Sequence, residues 1–202
     1  MPARPVKPVA SFPAPRTSSK RETLLDAAWR LFYRDGFHAV GIDTVLAEAG
    51  VAKMTLYNHF ASKEDLIVAV LERRAEQFES SLAAAVEAAG HKPMKRLLAV
   101  FDWHAEWLRS PEFNGCAFIK AVAEFPQGEA KPHQVAAAHK KRIYRLLESL
   151  VSELGLRQAE AIARQLELLI EGAIVSAHVY GRPEAAKDAR AAAESLIKTR
   201  LP

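Results

Sequence analysis

Apolar positions recur at helical spacing along nearly the whole chain. Leu24, Ala28, Leu31 and Phe32 form one stripe, opened by Ser19-Lys-Arg-Glu22 with capping-box spacing and stopped by Gly36. Two short helical stretches follow, about 43–49 and 53–60. A long helix is expected over 62–89, with Ser62 as its cap and Glu64 and Asp65 in its positive first turn. Pro93 opens a helix on which Met94, Leu97, Phe101, Ala105 and Leu108 share a face, ended by Ser110-Pro111. A short apolar segment over 116–125 stops at Pro126. Pro132 precedes a helix bearing Ile143, Leu147, Leu150 and Leu154 and closed by Gly155. Segment 156–180 is apolar around most of its circumference (Ile162, Leu166, Leu168, Leu169, Ile170, Ala173, Ile174, Val175), which predicts burial on several sides. The final helix, 183–200, is Ala-rich, and its small residues permit close helix approach. No stretch alternates at period two, so the fold is expected to be all-α.

The stretch from Gly41 to Phe60 is the most informative. Val45, Leu46 and Ala49 make an inward stripe, Gly50 supplies a turn residue without Cβ, and Val51 fills the corner. Leu56 and Phe60 lie one turn apart on the second short helix. Two short helices joined by a Gly-containing turn are the arrangement that places a second helix in the DNA major groove. The outward positions of that second helix are Lys53, Met54, Thr55, Asn58 and His59, with Tyr57 near the edge. A cation, hydroxyls, an amide and a ring suit phosphates and base edges.

The segment resembles the DNA-binding domain of the tetracycline-repressor (TetR) family, in which Gly-Val-x-Lys-x-Thr-Leu-Tyr-x-His-Phe is followed by Ser-Lys-Glu. Here it reads Gly50 to Phe60, then Ser62-Lys63-Glu64, and the resemblance covers about 20–66. It implies that Tyr57, His59 and Lys63 contact phosphates and that Lys53, Met54, Thr55 and Asn58 face the groove. Two positions depart from the pattern. Ala52 stands where a capping Ser is common, and Gly41 where a Thr is common.

Composition narrows the remaining choices. The 202 residues suffice for one medium domain, or a small one fused to a larger. Half are apolar, which supports a substantial core. Only one cysteine, Cys116, is present, which excludes an internal disulfide and a cysteine-rich zinc module and suits a reducing cytosol. Without an apolar leader or a run long enough to span a bilayer, the expected location is the cytoplasm, with no membrane partner. The chain is modestly basic, at net +4 and pI about 9.2. Arg4, Lys7, Arg16, Lys20 and Arg21 all precede the first acid, Glu22. Residues 1–18, rich in proline, read as a flexible basic tail that suits nucleic acid or another anionic surface.

The expected organisation is therefore a tail over 1–18, a three-helix helix-turn-helix domain over 19–65, and a larger helical regulatory and dimerisation domain over 66–202. The last two helices are the candidate dimer surface, and the resemblance agrees. A homodimer would present two recognition helices to a palindromic operator. For a small-molecule effector the candidate contacts are Trp103, His104, Trp107, Phe118, Phe125, Tyr144 and His178; Trp103 and Trp107 either line such a pocket or fill the core. The seven histidines show no metal-binding spacing, so neither metal nor cofactor is expected. Cys116 reads as a buried, inert thiol rather than a redox sensor. The expected function is a ligand-responsive repressor and not an enzyme. The rivals are an activator, a nucleoid-associated protein, and an all-α enzyme or ligand carrier with an incidental helix-turn-helix. The last lacks a phosphate loop and a nucleophile–base signature.

Overall fold

The computed structural model describes residues 19–200, and the basic tail over 1–18 lies outside the described residues. The described residues fold into α1 (Lys20–Asp35), α2 (Ile42–Ala49), α3 (Lys53–Tyr57), α4 (Lys63–Ala88), α5 (Pro93–Leu108), α6 (Ala117–Glu124), α7 (Lys131–Ser152), α8 (Ala159–Tyr180) and α9 (Ala185–Lys198), with no strand among them. The all-α expectation holds.

Two compact units emerge. Among the described residues, one joins 19–76 with Cys116–His139; the other joins Gln77–Gly115 with 140–200. The unit holding the helix-turn-helix thus takes in more chain than the 19–65 segment read from the sequence. It acquires the first half of α4, all of α6 and the start of α7.

Local chemistry explains the element ends of the first unit. Ser19 caps α1 by accepting the Glu22 amide at 3.3 Å. The Glu22 carboxylate does not close the capping box; it pairs with Arg21 and Arg73. Leu24, Leu25, Ala28, Leu31 and Phe32 turn inward along α1 and are buried. Trp29 stacks on Tyr33 at 4.6 Å, and the Arg74 guanidinium lies 5.0 Å over the Trp29 ring. Burial pushes the Arg74 pKa down, and the cation–π contact compensates part of that desolvation. Ser62 caps α4: its hydroxyl accepts the Asp65 amide at 3.0 Å and donates to the Asp65 carboxylate at 2.8 Å.

In the second unit α9 packs on both α5 and α8. Ala186, Ala189, Ala193 and Ile197 form its buried face, so the small residues do sit at helix contacts. Helix α8 departs from its expectation. Ile162, Leu166, Ile170, Ala173 and Ile174 are buried, but Leu168 is 71% exposed, Val175 46% and Val179 62%. The opposite face of an all-round apolar helix is left to solvent in the single chain.

Candidate nucleic-acid interface

The helix-turn-helix is built by a few buried side chains and one left-handed residue. Val45 and Leu46 of α2, Leu56 of α3 and Phe60 beyond it are at most 8% exposed. Gly50 closes α2 at φ 63°, ψ 34°, a conformation costly for a residue with Cβ. Its amide and that of Val51 return to the carbonyls of Ala47 and Leu46, and α3 starts two residues later. The recognition helix is shorter than the 53–60 expected. It ends at Tyr57, and the Asn58, His59 and Phe60 amides close a last turn onto Met54 and Leu56. Neither Ala52 nor Gly41 makes a side-chain cap, although both have the extended backbone of an N-cap.

With Leu56 fixed inward, the other α3 side chains face out. Met54 is 71% exposed and Tyr57 46%; Lys53, Asn58 and His59 are exposed and Thr55 half-buried. Lys53 Nζ stands 3.8 Å from Asp43 of α2, a contact weak enough to yield to a phosphate. Lys63 opens α4 and donates to the carbonyl of His38 at 3.2 Å. Burial lowers its pKa, with the Glu124 carboxylate opposing. One donated bond leaves two ammonium protons for another acceptor. The seven predicted DNA contacts are therefore confined to α3, its closing turn and the first residue of α4.

The turn before α2 is fixed from far along the chain. Glu124, the last residue of α6, accepts the Phe37 amide at 3.0 Å and the His38 amide at 2.6 Å. His38 Nε2 donates to the Glu124 carbonyl at 2.7 Å, and the Phe125 ring lies 4.6 Å from that of His38. Lys120 adds a bond to the Tyr33 carbonyl at 2.9 Å. Gly36 is required here: at φ 94° a Cβ would stand 3.0 Å from Glu124 Oε1. Sequence reasoning missed Phe37, His38 and Glu124 as a group, since nothing in local spacing pairs residues 86 and 87 positions apart.

The seven predicted effector contacts divide between the two units. Trp103, His104 and Trp107 are each 3% exposed, in a cluster with Phe78 and Phe113. The Trp103 indole donates to Ser81 at 3.0 Å, and His104 Nδ1 donates to the Val100 carbonyl at 2.7 Å. His178 is exposed, its ring 6.2 Å from Phe113. Tyr144 reaches the Glu160 carbonyl at 3.4 Å. Phe118 and Phe125 belong to the other unit: Phe118 stacks on His139 at 3.8 Å, and Phe125 packs on Phe37 and His38. An open cleft of about 530 Å³ in the second unit is lined by Gly155, Leu156, Arg157, Gln158 and Arg200, and by none of the seven. Cys116 is buried, at 6% exposed. No helix among the described residues is long and apolar enough to cross a membrane.

A left-handed glycine between two short helices, with the second turning a polar face to solvent, defines a helix-turn-helix DNA-binding protein. Residues 24–70 match the family described as bacterial regulatory proteins, tetR family, and residues 93–193 match the tetracyclin repressor-like C-terminal domain. A TetR-family transcriptional regulator from Streptomyces coelicolor has the same fold at 32% identity and a TM-score of 0.82, over 91% of this chain and 96% of that one. The chain belongs to the tetR family. The transcriptional activator FasR of Mycolicibacterium smegmatis is 42% identical over 67 residues, which span 33% of this chain and 31% of FasR. The Escherichia coli repressor NemR is 30% identical over 105 residues, 52% of this chain and 53% of NemR. The family assignment makes the chain a DNA-binding transcriptional regulator, as these relatives are.

Proposed function

We propose that this protein is a ligand-responsive repressor that binds a palindromic operator as a homodimer in the cytoplasm. The observation that carries the reading is α3 itself: Leu56 is fully buried while Lys53, Met54, Tyr57, Asn58 and His59 project from one short helix. Thr55 and Asn58 supply the hydrogen-bonding groups that read base edges, and Tyr57, His59 and Lys63 hold phosphates. One such helix reads only a few base pairs, so useful specificity needs two, related by a two-fold axis. The exposed Leu168, Val175 and Val179 of α8 supply the apolar surface for that pairing.

The effector reading rests on the aromatic cluster around Trp103, His104 and Trp107, with His178 at its margin. An effector releases DNA only if it binds the non-DNA conformation more tightly. By linkage, operator DNA weakens effector binding by the same factor. The activator reading is favoured by the likeness to FasR, and a reporter decides the sign. Selection from random duplexes with the purified protein should return an inverted repeat with half-sites about one helical turn, or a multiple, apart. Recovery of unrelated sequences would leave a nucleoid-type binder in its place. Deleting the gene should then raise transcription from a promoter carrying that repeat, and lowered transcription would assign activation.

A further inference from the structure

We infer that Asp43 of α2 is a specificity-determining residue, which together with Lys53 reads one G·C base pair of each half-site. This rests on the reading of α3 as a recognition helix.

Asp43 is the exception among the acids around the helix-turn-helix. Of the five between Glu22 and Gly50, four form ion pairs of 3.0 Å or less: Glu22 and Asp26 with Arg73, Asp35 with Arg34, and Glu48 with Arg30. The Asp43 side chain is 88% exposed on the outer face of α2, and its one polar partner among the described residues is Lys53 Nζ at 3.8 Å. At that distance the two groups share no direct hydrogen bond. Each keeps its bonding capacity for another partner: the carboxylate accepts only, and the ammonium donates only. Lys53 is the first residue of α3 and lies beside the exposed Met54, so the carboxylate joins the reading face from the neighbouring helix.

Toward phosphates a carboxylate at this place is a liability. It repels them, and it cancels the charge with which Lys53 would draw them. A net-neutral pair with a donor beside an acceptor suits base edges instead. In the major groove a G·C pair presents the N7 and O6 acceptors of guanine and, next to O6, the N4 amino donor of cytosine. Lys53 can donate to the two guanine atoms while Asp43 accepts from the cytosine, so groups standing side by side satisfy the whole edge. An A·T pair places its donor between two acceptors with a methyl group beyond, and no two adjacent acceptors meet the ammonium. An acid in the first turn of α2 also suits the helix dipole. That role affects stability and leaves base preference alone, so base preference is the quantity to measure.

The test repeats the selection from random duplexes with the full chain, with Asp43→Ala and with Lys53→Ala. The parent should return a G·C pair at one position of each half-site. Both variants should lose preference at that same position and retain the rest of the repeat. In the selected duplex, replacing that pair by A·T should weaken binding of the parent about 5- to 150-fold, the size of a good bidentate contact. In Asp43→Ala/Lys53→Ala the same replacement should change binding by less than about twofold, because neither reading group remains. A selection with Asp43→Ala that returned the parental G·C preference, or single variants that relaxed different positions, would overturn this inference alone. Weaker binding of Asp43→Ala to every duplex at unchanged base preference would make Asp43 a structural part of α2 and overturn it equally. A parent that returned no repeat would overturn the recognition-helix reading with it.

Discussion

Glu124 and His38 hold each other twice: the His38 amide donates to the Glu124 carboxylate at 2.6 Å, and the His38 ring donates to the Glu124 carbonyl at 2.7 Å. The same carboxylate takes the Phe37 amide, and the His38 carbonyl takes Lys63. The end of α6 thereby fixes the turn that enters α2 and supports a cation at the start of α4. Hydrogen bonds to a charged acceptor contribute about 1.5–3 kcal/mol, more than neutral ones. Glu124→Ala should cost about 2 kcal/mol, and Glu124→Gln, which retains one acceptor, about half of that. Hydrogen exchange should show the Phe37 and His38 amides losing protection first. Unchanged protection there in Glu124→Ala would remove the clasp. Gly36→Ala should destabilise as well, and Gly36→Ala with Glu124→Ala by less than the sum, since the first clashes with the group the second removes.

The recognition surface predicts two classes of variant. Tyr57→Phe, His59→Ala and Lys63→Ala should weaken binding to specific and random duplexes alike, because phosphates carry no sequence information. Lys63→Ala should also lower the salt slope by about one unit. Changes at Thr55 or Asn58 should alter base preference at an otherwise normal slope. A repeat selection with Asn58→Ala that returned the parental operator would take Asn58 off the reading face.

Helix α3 is short and uncapped. Ala52 has φ −73° and ψ 150°, a backbone that Ser or Thr adopts at an N-cap. Ala52→Ser should therefore stabilise the protein by about 0.5–1 kcal/mol, since the hydroxyl would accept an α3 amide that has no side-chain partner now. Thermal melting checks this; a lower melting temperature would mean that the added hydroxyl is desolvated without a bond.

These cases separate what the chain's own pattern discloses from what it conceals. Helix periodicity, the Gly50 turn and the outward set on α3 depend on residues within a few positions of one another, so local rules found them. Even the missing cap at Ala52 was legible. The Glu124 clasp and the Arg73 pairs with Glu22 and Asp26 join residues far apart in sequence, and no local spacing announces them. The division of the effector residues between the two units was hidden for a related reason. Aromatic residues fill cores and line pockets alike, so Phe118 and Phe125 could be placed only once the fold paired them with His139 and with Phe37 and His38.

Acid stability offers a separate check on the α4 cap. The Asp65 carboxyl is held below its ordinary range, first by the Ser62 hydroxyl and then by Lys131, with desolvation opposing. Because the folded pKa is the lower one, this stabilisation is fully present above the ordinary carboxylate value near ~4 and is lost as pH falls through the folded pKa. Asp65→Asn should flatten the loss of stability below about pH 4, and Ser62→Ala should cost about 1 kcal/mol at neutral pH. Acid unfolding followed by circular dichroism measures both. An acid limb in Asp65→Asn as steep as the parent's would contradict the assignment.

The last prediction concerns which face of α8 pairs with a second copy. The apolar run of 156–180 includes Leu168, Leu169 and Ile170 alike. In the fold Ile170 is 2% exposed and Leu169 half-buried, so both belong mainly to the subunit's own core. Among the α8 residues left in water are Leu168, Gly172, Val175 and Val179, spaced four, three and four apart, which places them on one face of the helix. Gly172 has nothing within 4 Å of where a Cβ would stand, so a partner helix could approach closely there. A charge at Leu168 or Val175 would be harmless in a monomer, because it would be solvated. In a dimer it would be buried without a counter-charge, which is strongly unfavourable. Leu168→Glu and Val175→Glu should therefore retain the helical spectrum and melt near the parent's temperature at low concentration, yet sediment as monomers and lose operator binding. Ile170→Asp should instead unfold the subunit, because the carboxylate enters its core. Dimers that persisted in Leu168→Glu/Val175→Glu would move the interface off this face of α8, and the inverted-repeat argument would then need another pairing surface.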